Sequence, residues 1–260
     1  MQSKQLAIVA AVAALSGGLG VVVATRVFSH ADDVEQPAGA PKARKSAAPE
    51  SRAPTDVVER LERAALSVNE AAALATLRAL TSAQAMASVA AIIDVDRDDS
   101  GEYAFLGELA GTRVLRGSTA LLDLTLMPPE FGEVTAGGIA TRSGYHFRVF
   151  LPGAPINART PGLFEGSRTA PDADAAEVLW CAYAWPVRAG STGARAFFVN
   201  QEGDLLTTSN EDKGYSGEDH GPAFDAALGD ERPGDMASTL PTEPEGHTGN
   251  DGRVWKWVGL

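Results

Sequence analysis

The residues best suited to chemistry sit in one short acidic run, Asp94-Val95-Asp96-Arg97-Asp98-Asp99-Ser100-Gly101-Glu102. Carboxylates at i, i+2 and i+4 of a tight loop can converge on one point. Calcium takes roughly six to eight oxygen ligands, so Asp94, Asp96, Asp98 and Glu102 form a candidate calcium set. The run is not an EF-hand. Its sixth position is Asp99 rather than glycine, and its twelfth is Phe105 rather than glutamate. Arg97 brings a competing positive charge. The plainer expectation is a solvated acidic turn that closes a helix.

The remaining candidates are weaker. Cys181 lies in Leu-Trp-Cys-Ala-Tyr, with no local base to activate it, and is expected to be a buried, inert thiol. With one cysteine, the chain can form no internal disulfide. His30, His146, His220 and His247 have no ligand-type spacing. His146 shares a strand face with Arg148 and is expected at the surface. Ser143-Gly144 lacks the leading glycine of a nucleophile elbow. Trp180, Tyr183, Trp185, Phe197 and Phe198 read as core, with a carbohydrate- or peptide-binding face as the sharper alternative. No catalytic residue and no cofactor site emerges, and the expectation is a protein that is not an enzyme.

These residues need elements to place them. The 260 residues carry 27 glycines and 15 prolines, which suits short strands and loops better than a helical bundle. A net charge of −12 disfavours binding to a phosphate backbone, so nucleic acid is not an expected partner. From Asp56 to about Ile93 there is neither glycine nor proline. Asp56 and Glu59 fit a capping box. Two stripes recur at helical spacing, Leu61, Ala65, Val68, Ala72 and Ala75 in one, Ala73, Leu77 and Leu80 in the other.

Beyond the helix the period changes to two. Residues 144–152 place Tyr145, Phe147, Val149 and Leu151 on one face, and His146, Arg148 and Phe150 on the other. Further strands are expected at 177–187, 195–200, 205–208 and 254–258, joined as an antiparallel meander. Residues 153–176 and 209–252 read as loops. The expected fold class is α+β, one long helix packed on an antiparallel sheet.

The first 54 residues read differently. Residues 5–25 are uncharged and lie between Lys4 and Arg26. A helix of that length spans a hydrocarbon core of roughly 30 Å. Lys4 before it and Asp32, Asp33 and Glu35 after it place the N-terminus inside. The segment is either a retained anchor or a signal peptide cut after Ser29-His30-Ala31. Residues 31–54, with prolines at 37, 41, 49 and 54, read as a flexible linker. The expected organisation is therefore residues 1–30 as signal-anchor or signal peptide, 31–54 as linker, and 55–260 as one α+β domain. The membrane is the first expected partner, met through residues 5–25.

This order of elements resembles type IV pilins and the pseudopilins of type II secretion. Asn69-Glu70-Ala71-Ala72-Ala73-Leu74-Ala75-Thr76-Leu77-Arg78-Ala79-Leu80-Thr81-Ser82-Ala83-Gln84 looks like the outer half of a pseudopilin helix. Asp94-Val95-Asp96, Gly101-Glu102-Tyr103, Thr141-Arg142-Ser143-Gly144-Tyr145, Ala182-Tyr183-Ala184-Trp185-Pro186 and residues 195–204 resemble, in the same order, stretches of pilin-like envelope proteins. The resemblance covers about residues 65–260. The leader followed by Phe-Thr-Leu-Ile-Glu, which the prepilin peptidase cuts and methylates, does not occur in these residues. The resemblance implies a pilin-like head on a generic anchor in the bacterial cell envelope, outside the cytoplasm, with a secretion- or pilus-type partner protein. The alternative expectation is a ligand-binding or sensory ectodomain on the same anchor, or a periplasmic protein after signal cleavage.

Overall fold

The structure is a computed structural model, and it describes residues 54–210, 214–229, 232–241, 243 and 245–259. The anchor or signal segment and nearly all of the linker lie outside the described residues. Among the described residues, no helix is long and apolar enough to cross a membrane. The described residues all fall in one compact unit.

One long helix, α1, runs Pro54–Val89, 36 residues. It starts two residues before the expected cap. Proline is tolerated at a first helical position because its missing N–H would be unpaired there anyway. At 1.5 Å per residue the helix is about 54 Å long. Two short helices follow, α2 (Leu106–Leu109) and α3 (Ala173–Ala176).

The strands are β1 (Ala140–Arg142), β2 (Tyr145–Pro152), β3 (Gly162–Phe164), β4 (Cys181–Pro186), β5 (Arg195–Asn200), β6 (Leu205–Ser209), β7 (His247–Thr248) and β8 (Val254–Trp257). They form a single antiparallel sheet in the order β1-β2-β4-β5-β6-β8-β7, with β3 on the side of β2. The fold is α+β, as the patterning predicts. The hairpin from β1 to β2 turns through Ser143 and Gly144, both at positive φ (48° and 75°), which suits the twist of the flanking strands.

Both faces of the central strands are covered. On one face Phe147, Val149, Ala182, Ala184, Phe197 and Val199 pack with Ala73, Leu77, Leu80, Ala83 and Ala87 of α1. On the other, Phe150, Tyr183, Trp185, Phe198 and Leu206 pack beneath Ala226, Ala227, Leu228, Met236 and Trp255. Apart from Trp255, the second layer comes from residues that the sequence reads as loop. The buried Tyr183 hydroxyl donates to the Phe224 carbonyl (3.0 Å) and accepts from the Ala227 N–H (2.9 Å), which pins that layer down.

Helix α1 divides in two. From Ala73 on, every third or fourth residue is buried. Between Glu59 and Asn69 no residue is buried, and Leu61 and Val68 are 66% and 68% exposed. The stripe Ala73-Leu77-Leu80 meets the sheet as predicted. Of the other stripe, Leu61, Ala65, Val68 and Ala75 are exposed and Ala72 is half-buried. The sheet ends where Asn69 Nδ2 donates to the Thr192 carbonyl (2.9 Å) and Glu70 Oε1 accepts from the Ala194 N–H (2.9 Å). Upstream of these two contacts no strand among the described residues lies beneath the helix, so amphipathic spacing alone does not bury it.

Candidate metal centre

The acidic loop leaves α1 through Ala91 and closes on itself. Asp94 Oδ1 accepts from the N–H of Arg97 (2.7 Å) and of Asp98 (3.2 Å), and Asp98 Oδ1 accepts from Ser100 N–H (2.8 Å). Arg97 and Asp99 take positive φ, 66° and 72°. Aspartates favour such turns because their short side chains bond to backbone nearby. Gly101 then passes against the end of α1. A Cβ there would sit 1.9 Å from the Ser88 carbonyl oxygen, so no larger residue fits without movement.

Asp94, Asp96 and Asp98 offer carboxylate oxygens that all lie within 4.8 Å of one another. A second set shares Asp96 and adds Asp174 and Glu177, within the same limit. The Tyr103 N–H bonds to the Ala176 carbonyl (2.8 Å) and so holds α3 against the loop. Asp172 caps α3 by accepting from the Ala175 N–H (3.1 Å) and fixes where Asp174 and Glu177 lie. Five carboxylates from two distant segments thus meet at one corner.

Crowding shows in their acidity. Asp96 is raised above the usual carboxylate range by partial desolvation, then by the charge on Asp98 and the hydrogen bond with Asp174. Glu177 is raised by desolvation and then by Asp98, Asp96 and Asp174. Its Oε1 is buried and has no hydrogen-bond partner among the described residues. Oxygen-only donors with uncompensated charge suit a hard divalent cation, calcium foremost. They suit thiophilic or imidazole-seeking metals poorly.

Glu102 stands outside this group. Only 1% of it is exposed. Its Oε1 accepts from the Val95 N–H (2.8 Å), and its Oε2 pairs with Arg116 (2.8 Å). Arg116 also pairs with Glu108 (3.1 Å) and donates to the Tyr103 carbonyl. Burial raises the pKa of Glu102, and the Val95 N–H and Arg116 oppose that rise. Of the four predicted ligands, three converge, while Glu102 ties the loop to the core. Asp174 and Glu177 were not legible as ligands. They lie some 80 residues downstream, and Glu177 falls at the start of the stretch read as a strand.

The other candidates are placed as follows. Cys181 is buried, and burial drives its thiol far above the usual range. Trp180, Tyr183, Trp185, Phe197 and Phe198 are fully buried, as core. His146 is not at the surface: it is 4% exposed, its Nδ1 lies 2.7 Å from Thr141 Oγ1, and its ring packs on Trp185. The strand face it shares with Arg148 is the one covered by the second layer. No protein family model matches the chain, and no curated protein or solved structure is similar to it at a significant level.

Proposed function

We propose that the chain is an exported, membrane-anchored assembly protein of the bacterial cell envelope, with a pilin-like head and a secretion- or pilus-type partner. One observation carries the reading. A single helix lies half in the sheet and half beyond it, and the half beyond it keeps Leu61 and Val68 uncovered. A long helix with an uncovered apolar stripe is a ready surface for another helix. The resemblance of residues 65–260 to pilin-like heads supports the same assignment. No catalytic role is part of it. The acidic corner fits the role of a calcium-ordered loop at the far end of the same helix.

The head does not polymerise alone on this reading. A pilin needs an uninterrupted N-terminal helix, and a proline inside a helix costs about 3 kcal/mol or more. On this reading prolines 37, 41 and 49 interrupt any helix between the apolar segment and α1, which begins at Pro54. Electron microscopy of cells overexpressing the full chain should find no filaments, with the protein in the membrane fraction. Filaments containing it would overturn the lone-head reading, and a mature chain starting at Asp32 would overturn the anchor.

A further inference from the structure

The ladder between β6 and β8 is short. It registers only Leu206 with Trp257 and Thr207 with Lys256. Beyond Thr207 the two strands splay, and a notch of about 580 Å³ opens between them. Its lining is Arg195, Thr207, Thr208, Ser209, Arg253, Val254 and Lys256. Among the described residues that line it, three of the seven are cations and none is a carboxylate, on a chain whose net charge is −12.

Two of the cations are held from behind. Arg195 pairs with Glu70 of α1 (2.7 Å) and lies over the Phe197 ring (5.4 Å). Arg253 lies 3.7 Å from Asp251 and over the Tyr215 ring (5.0 Å). Lys256 is exposed and has no ion pair among the described residues. The backbone adds a donor. The Asn210 N–H bonds to the Ala194 carbonyl, so the even residues of β6 face β5 and the odd ones face β8. The Val258 N–H on the Leu205 carbonyl agrees with that phase. The amide of Ser209 therefore faces the notch, where no β8 residue is in register with it. The hydroxyls of Thr207 and Thr208 are spent on backbone carbonyls, which leaves that of exposed Ser209 as the side-chain donor.

We propose that this notch binds a small polyanion, whose phosphoryl or carboxylate oxygens bridge Arg195, Arg253 and Lys256 and take the Ser209 donors. The volume falls within the usual range for small-molecule sites, roughly 300–1,000 Å³. Fixed guanidinium groups are suited to anionic oxygens, and Lys256 supplies a mobile third charge. The site does not depend on the assembly reading.

Isothermal titration of the full-length protein with tripolyphosphate and, separately, with citrate tests it. Sub-millimolar binding of either one, weakened by added sodium chloride, is expected, and the tighter of the two names the phosphoryl or the carboxylate source. K256E should weaken it roughly fivefold, as reversal of an exposed charge contact would. R159E, an exposed charge reversal elsewhere, should leave it unchanged. No binding of either anion at millimolar concentration, or equal losses in K256E and R159E, would overturn the proposal.

Discussion

The two halves of α1 share a helical apolar spacing and have opposite circumstances. Both carry leucine or valine at that spacing, but residues 54–69 hold two alanines and five charged residues, whereas residues 70–89 hold eight alanines and two charged residues. Leu77 and Leu80 are fully buried in the sheet, whereas Leu61 and Val68 lie mostly in water. The alanine-rich half packs closely on the sheet; the charged half runs past its end. Strands β4 and β5 stop at Pro186 and Arg195, and the turn between them meets the helix at Asn69 and Glu70. At 1.5 Å per residue, residues 54–69 extend about 24 Å past that point. A helix segment with no layer beneath it either pays for itself by propensity or waits for a partner.

Substitutions sharpen the contrast. Leu77→Ala removes a fully buried side chain and should cost about 2–5 kcal/mol by chemical denaturation. Gln84→Ala should cost about 1–3 kcal/mol. It strips the Ala104 N–H (2.9 Å) and carbonyl (2.8 Å) of their partner in a buried place. Leu61→Ala and Val68→Ala should change stability by about 0.5 kcal/mol or less, as surface changes do. A cost at Leu61 matching that at Leu77 would mean that the first half is covered within the chain itself.

The far end of the helix gives a smaller effect with a definite sign. Asp96 and Glu177 are more easily protonated in the folded protein than in the unfolded chain. A raised carboxyl costs stability above its folded-state value, and the cost fades as pH falls toward the ordinary carboxylate range of roughly 4. Without calcium, Asp96→Asn should therefore raise Tm at pH 7, and its advantage should vanish near pH 4. Millimolar calcium should raise the Tm of the unaltered protein at pH 7, as any ligand that prefers the native state does. Asp96→Ala should abolish that rise. No calcium response at pH 7 would leave the corner a solvated turn.

How much of this was legible depended on range. The strand at 144–152 and its two faces could be read because alternation is local, and β2 and β5 fall where the period-two pattern places them. The stripe Ala73-Leu77-Leu80 was legible for the same reason. Periodicity says which side of a helix is apolar but not how far the sheet beneath it extends, so nothing local set Leu61 and Val68 apart from Leu77 and Leu80. Loop-like composition hid the layer of Ala226, Ala227 and Leu228, because its burial depends on Tyr183, far away in sequence. At the acidic corner, Asp94, Asp96 and Asp98 were visible as a run. Asp174 and Glu177 join them only through the bond between Tyr103 and Ala176. Glu102 looked like a ligand because its partner, Arg116, is set by the fold.

On the proposed reading, the uncovered half of α1 is the surface at which the partner protein binds. Site-specific photo-crosslinking in cells tests it directly, with the reactive side chain at position 65 of the full-length chain. The account predicts one discrete adduct with an envelope protein, lost when Leu61→Glu and Val68→Glu are introduced together, while the Tm of the purified double variant stays within a few degrees of the original. An adduct that survives both substitutions, or an equal one from an exposed position in the turn at the other end of β5 such as Glu202, would contradict it.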